Sequence, residues 1–147
     1  MESGQITIEF ADGAIDVSKA SQLPTIGCGG ESIFIGRTRP ETHSAHGSLH
    51  SLTYDCYKEM AVLELQKIAE EAINRYAVQY VRVTHAVGTV GINEASVVIA
   101  VSSHHRADAF TACHFIIDLL KQRVPIWKQE DWEDGTTWKE GHGLEHE

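Results

Sequence analysis

The stretch Ala95-Ser-Val-Val-Ile-Ala-Val101 constrains this chain more than any other. It is apolar at all but one position, so as a strand it has no face to offer to water. It must run through the middle of a sheet that is covered on both sides. Two segments have the periodicity to supply cover. From Met60 to Tyr76, the residues Val62, Leu65, Ala69, Ile73 and Tyr76 recur at spacings of three and four and form one apolar stripe. A second helix is expected from about Arg106 to Gln122, with Phe110, Cys113, Ile117 and Leu120 facing the core and Pro125 preventing its continuation.

Other strands are expected around these. Gln5 to Phe10 alternates, with Ile6, Ile8 and Phe10 on one face. Ser32 to Arg37, Ser48 to Tyr57 and Tyr80 to His85 read as strands. Asp16 to Leu23 reads as a short helix and Thr38 to Gly47 as a polar, mobile surface loop. Gly88 and Gly91 suggest that Val87 to Glu94 is a hairpin or longer bend. Strands and helices mix without a regular βαβα repeat, so the class is α+β. The 147 residues form one domain, without repeat or linker, and an acidic tail begins at about residue 131.

The formal net charge of −9 argues against a nucleic-acid binder, which needs a basic surface. Residues 130–147 hold seven acids and one base, whereas the other 129 residues carry 14 acids and 11 bases. Six of those bases fall in three short segments: Arg37 and Arg39, then Arg106, then Lys121, Arg123 and Lys128. If folding joins those segments, an acidic protein holds one cationic pocket suited to a small anion. Three cysteines without a Cys-x-x-Cys pair fit reduced thiols. With no apolar run long enough to span a membrane and no signal-peptide pattern at Met1–Phe10, a cytosolic protein is expected.

Three segments carry candidate chemistry. At Val101-Ser-Ser-His-His-Arg-Ala-Asp-Ala109 a strand passes into a helix. Ser102 or Ser103 can cap it, and free N–H groups with His105 and Arg106 make a receptor for phosphate or carboxylate. The plainer alternative is a capping serine and an Arg106–Asp108 surface pair. In Asp118 to Glu130, a lysine held against apolar walls has a lowered pKa and can carry protons or act as nucleophile. The alternative has Lys121 and Arg123 merely offsetting the negative helix end. In Phe34-Ile-Gly-Arg-Thr-Arg-Pro40, Gly36 permits close approach of a ligand, though an ordinary strand end is also possible. His43, His46 and His50 have a ligand-like spacing, but without a partner cysteine or a His-Glu-x-x-His helix they read as loop residues, and no metal is expected. Cys28, among glycines, reads as a turn residue.

Jointly these segments resemble the family of molybdopterin synthase large, catalytic subunits. The matching pieces are Gly27-Cys28-Gly29, Phe34 to Arg39, Leu52 to Ala61, His85 to Gly88, Val98 to Arg106, Ala109-Phe110 and Val124 to Glu130, in the family's order. The resemblance implies an α/β-hammerhead fold with a mixed or antiparallel sheet and two main helices. It implies a dimer of this chain within a heterotetramer, with a small ubiquitin-like sulfur carrier at each end. The carrier's C-terminal Gly-Gly, as a thiocarboxylate, would enter a pocket. Two sulfurs would pass to cyclic pyranopterin monophosphate to make the dithiolene of molybdopterin, with no further cofactor. Lys121 and Lys128 match the catalytic lysines. Arg39, His105, Arg106, Gln129 and Glu130 join them in binding substrate.

Two positions depart from the family pattern. Ala86 stands where an arginine is usual, and Gln129 replaces a lysine. A non-catalytic dimeric module that binds a phosphorylated metabolite or a ubiquitin-like partner is the main alternative. Retention of both lysines argues against it, since phosphate binding needs only the helix start and one arginine. A metal-dependent hydrolase using the loop histidines is a third reading.

Overall fold

The computed structural model describes residues 5–139. Its elements are β1 (Ile6–Asp12), α1 (Val17–Ala20), β2 (Gly30–Arg37), β3 (Thr42–His43), β4 (Gly47–Cys56), α2 (Lys58–Tyr76), β5 (Val78–Gly91), β6 (Ala95–Ser103), α3 (Arg106–Arg123), β7 (Ile126–Trp132) and β8 (Gly135–Lys139). The class is α+β. The sheet runs β2-β6-β5-β4-β7-β8, with β1 added parallel to β5 and β3 added to β4.

Strand β6 is buried at every position, as its composition requires. It lies between β2 and β5 and packs against α3. Small residues let the helices approach closely: Ala61, Ala69 and Ala72 on α2, and Ala109 and Ala112 on α3, are all buried. Arg123 ties the two helices together through Glu64 (3.1 Å) and Glu71 (2.8 Å). Between α2 and β5 the chain turns on Ala77, a non-glycine residue in the left-handed region (φ 54°).

Strand β5 is the spine of the sheet. Its first part, residues 78–87, pairs with β1 and β6, and its last part, residues 88–91, pairs with β4. The expected hairpin between these strands is present, but its connection is shorter than Val87–Glu94: the strand continues through Gly88 (φ 96°), and the turn takes only residues 92–94. A positive φ, open to glycine, lets the ladder change partners without ending. Strands β4, β7 and β8 then form a three-stranded lobe reached from β5 through four residue pairs, Ser51–Gly91 to Tyr54–Gly88.

Other expectations also change. Phe110 does not face the core; it is 59% exposed, while Cys113, Ile117 and Leu120 are buried as expected. On α2, Val62 lies at the edge of the stripe and Ile68 and Ala72 take its centre. The segment from residue 131 is no tail as far as residue 139. It closes a β7–β8 hairpin, with Trp132 buried and Trp138 exposed. The loop after β2 includes the short strand β3. Among the described residues no helix is long and apolar enough to cross a membrane.

Candidate active site

Glycines bring one half of the candidate site together. Gly29 donates its N–H to the His104 carbonyl (3.1 Å), so the segment entering β2 lies directly on the start of α3. A Cβ on Gly29 would stand 2.7 Å from the His104 oxygen, and one on Gly30 would stand 2.7 Å from Arg106 Cα. Only glycine permits that approach. The result is an open recess of about 460 Å³ lined by Gly29, His104, His105, Arg106 and Ala107, with His105 and Arg106 exposed.

The expected serine cap is absent. His105 occupies the N-cap position without a side-chain hydrogen bond. The Ser102 hydroxyl donates to the Pro24 carbonyl (2.9 Å), and Ser103 donates to the His105 carbonyl (2.5 Å). Both serines fasten neighbouring chain instead, which leaves the first N–H groups of α3 open to an anion.

The other half lies past the far end of α3. Lys121 sits in its last turn, and Val124–Pro125 leads into β7. Alternation on β7 places Lys128, Glu130 and Trp132 on the buried face, and Trp127, Gln129 and Asp131 on the other. Lys128 is only 1% exposed and stands directly across the ladder from Tyr54, also 1% exposed. Burying an ammonium so completely is costly unless polar groups surround it. The Tyr54 ring meets the fully buried His85 ring edge-on at 5.1 Å. Glu130 accepts from the Thr137 hydroxyl (2.9 Å), which in turn accepts from Trp132 Nε1 (3.0 Å).

Gln129 belongs to a different network. It donates to Asp131, whose second oxygen accepts from Ser51 and Thr53 (both 2.8 Å). Arg39 is exposed just after Thr38, whose backbone pairs with Asn93 and Glu94 at the β5–β6 turn. Ala86 is fully buried, and its carbonyl accepts the His85 Nδ1 proton (2.8 Å).

The candidate cations do not all meet in one chain. Fifteen residues of helix separate Arg106 from Lys121, about 22 Å at 1.5 Å per residue. Lys121 and Lys128 are at most about 18 Å apart along the chain between them. Tyr54, across the ladder from Lys128, and His85, beside Tyr54, were not singled out from sequence, because their signal lies in strand register, which periodicity alone does not give. Among the described residues no group of three or more His, Cys, Asp or Glu side chains is placed to hold a metal.

Known proteins share this fold. The family model described as "MoaE protein" matches residues 10–123. The human protein named "Molybdopterin synthase catalytic subunit" is 39% identical over 139 residues, covering 94% of this chain and 73% of that protein. The crystal structure of molybdopterin synthase from Staphylococcus aureus superposes with a TM-score of 0.79 at 32% identity, covering 95% of this chain and 98% of that one. A complex of subunits 1 and 2 of molybdopterin-converting factor from Helicobacter pylori shares the fold, with a TM-score of 0.71 at 20% identity over 95% of this chain and 91% of that one. With the matched segment running from β1 through the whole of α3, the chain belongs to the MoaE protein family, that of the molybdopterin synthase catalytic subunits.

Proposed function

We propose that the sulfur-transfer site of this synthase subunit is built from two copies of the chain: Lys121 and Lys128 of one, His105 and Arg106 of the other. The observation that carries this reading is the placement of groups along α3. Arg106, Phe110, His114, Ile117 and Lys121 follow at spacings of four, four, three and four, so they share one side of the helix. That side borders an apolar recess of about 320 Å³ against β2, where Ile33 and Phe110 remain exposed. Strand β2 is an edge of the sheet. A two-fold axis near the middle of α3 sets Arg106 of one copy opposite Lys121 of the next. The homodimer thereby completes a cationic site that one chain leaves split.

In this site the phosphate of cyclic pyranopterin monophosphate binds the open start of α3 with His105 and Arg106, and Arg39 assists. The thiocarboxylated C-terminal Gly-Gly of a small ubiquitin-like carrier enters from the lysine side. In the Helicobacter pylori complex of two molybdopterin-converting factor subunits, one chain has this fold, which supports a second subunit as partner. The thiocarboxylate sulfur adds to the pterin side chain, and water releases the carrier as its carboxylate. Lys121 and Lys128 neutralise the anionic sulfur and return protons as the cyclic phosphate opens. On the lysine strand itself, Glu130 contacts substrate from the face of Lys128 and Gln129 from the opposite face. The three cysteines are free thiols, which suits a cytosolic setting.

Complementation tests the reading. Arg106→Ala and Lys121→Ala copies are each inactive in dithiolene formation from thiocarboxylated carrier and cyclic pterin. A co-expressed one-to-one mixture regains about a quarter of wild-type activity, because each mixed dimer keeps one intact site. A mixture as inactive as its parents refutes the shared site, and wild-type turnover by Lys121→Ala refutes the lysine's role.

A further inference from the structure

We infer that the recess beside Glu130 selects the pterin ring: the carboxylate accepts the paired N–H donors of the ring's 2-amino-4-oxopyrimidine edge, and aromatic side chains hold its flat faces. This deepens the function proposed above and rests on it, by naming the part of the substrate that this end of the site recognises. The recess, of about 390 Å³, lies where the segment around β3 meets the β7–β8 hairpin. Glu41, His43, Glu130, Trp132, Thr137 and Trp138 line it, and among the described side chains it has no lysine or arginine. Two carboxylates disfavour a phosphate or a thiocarboxylate there, since both are anions. Aromatic walls with a few fixed acceptors suit a flat heterocycle that presents N–H groups.

The direction of hydrogen bonding fixes what Glu130 offers. An indole N–H only donates, so Trp132 gives its proton to the Thr137 hydroxyl (3.0 Å), and Thr137 gives its own to Glu130 Oε1 (2.9 Å). Glu130, 6% exposed, is thereby held as an acceptor, with Oε2 beside the oxygen that Thr137 fixes. Paired carboxylate oxygens match two parallel N–H donors, the geometry that makes arginine–carboxylate pairs bidentate. The 2-amino group and N3–H of a pterin are such donors, and guanine carries the same pair. The walls are held as well: His43 Nδ1 accepts the Ala45 N–H (3.0 Å), and its ring stands 5.2 Å from that of Trp132. Trp138, 63% exposed, leaves a large ring for a ligand to cover. Glu130 and Lys128 share one face of β7, about 6.7 Å apart along the strand. A pterin held by its N–H edge at Glu130 can therefore lay its opposite end, which receives sulfur, beside the lysine.

The test is calorimetric titration of the full chain with unsubstituted pterin, which has the ring and no phosphate. Lumazine, with a 2-oxo group in place of the amine, and guanosine, with the same donor edge on a purine, are the comparison ligands. Wild-type protein binds pterin, and binds lumazine roughly tenfold more weakly. Glu130→Gln keeps the shape but turns one acceptor into a donor; it raises the Kd for pterin by roughly 10–100-fold and brings pterin and lumazine level. Trp138→Ala weakens both ligands alike, by about tenfold. The ligand comparison on wild-type protein decides the matter even where a variant fails to fold. Absence of pterin binding, equal affinity for lumazine, or an unchanged Kd in Glu130→Gln overturns the inference. Guanosine bound as tightly as pterin assigns the recess to a guanine and overturns it too, as does loss of pterin in Glu41→Gln in place of Glu130→Gln. Dithiolene formation is scored separately: its absence from wild-type protein that still binds pterin defeats the sulfur-transfer reading and leaves the ring site standing.

Discussion

Gly30→Ala is a single-methyl test of how the anion-binding end is held. The added Cβ would stand 2.7 Å from Arg106 Cα and 3.0 Å from its N, both backbone atoms that no rotamer change can withdraw. Ordinary carbon contacts lie at about 3.5–4.0 Å, so β2 and the start of α3 must separate by about 1 Å. Overpacking of this kind costs about 1–3 kcal/mol, and in a chain of this length each kcal/mol lowers the melting temperature by about 2–4 °C. The expected fall is therefore about 2–12 °C by calorimetry. The same displacement moves Arg106, and a 1 Å error in a positioning group lowers turnover by about 100-fold. Gly27→Ala is the control. Its Cβ meets nothing within 4 Å, but its φ of 77° makes alanine strained. It should lose about 1–2 kcal/mol of stability and keep its turnover. A Gly30→Ala protein with normal melting and normal sulfur transfer refutes the reasoning, as does equal loss of turnover in both variants.

Ala77→Gly should raise stability by about 0.5–1 kcal/mol in denaturant titration, since exposed Ala77 holds a left-handed conformation that glycine adopts freely. Glu9 is held below the usual carboxylate range chiefly by its hydrogen bond from Arg82 (2.7 Å), against a smaller opposing effect of burial and with help from the Thr84 hydroxyl. Folded Glu9 thus binds fewer protons than unfolded Glu9. Its contribution is complete above the ordinary carboxylate range and is lost as pH falls through the depressed value. Glu9→Gln should flatten the acid limb of the stability–pH curve. Burial raises the Cys113 thiol above the ordinary cysteine range, with hydrogen bonds from Ser32 and the Phe34 backbone opposing. A thiol reagent at pH 8 should leave Cys113 unmodified in the native protein and label it on unfolding.

Elements whose burial is uniform were legible in the sequence. Strand β6 was plain because a run such as Val97-Val98-Ile99 has one reading, and α3 was plain because Cys113, Ile117 and Leu120 repeat at helical spacing. Phe110 fits that spacing too, but periodicity reports which residues share a side, not whether anything covers it. Gly88 misled because a glycine between apolar runs signals a turn, and only the tertiary pairing shows that its positive φ serves a change of strand partner. Ser103 misled for a similar reason: a helix start with a serine three residues upstream suggests a cap, yet its hydroxyl bonds the His105 carbonyl. Arg106, Lys121 and Lys128 were singled out from charge clustering and local motifs, and resemblance to a family gave the lysines their catalytic role. That the arginine and Lys121 stand at opposite ends of one helix follows from counting residues, but the burial of Lys128 beside Tyr54 depends on register between segments seventy residues apart.

The narrow attachment of the β4–β7–β8 lobe has a dynamic consequence. Four residue pairs hold it to β5, and among the described residues its strands make few contacts with either main helix. Such a unit can open on its own at lower free energy than global unfolding. Amide hydrogens of β7 and β8 should then exchange with solvent well ahead of those in β6. The half of the molecule that carries Lys128 can breathe while the helices and the buried central strand stay locked, so a tail seeking that lysine can be admitted without melting the scaffold.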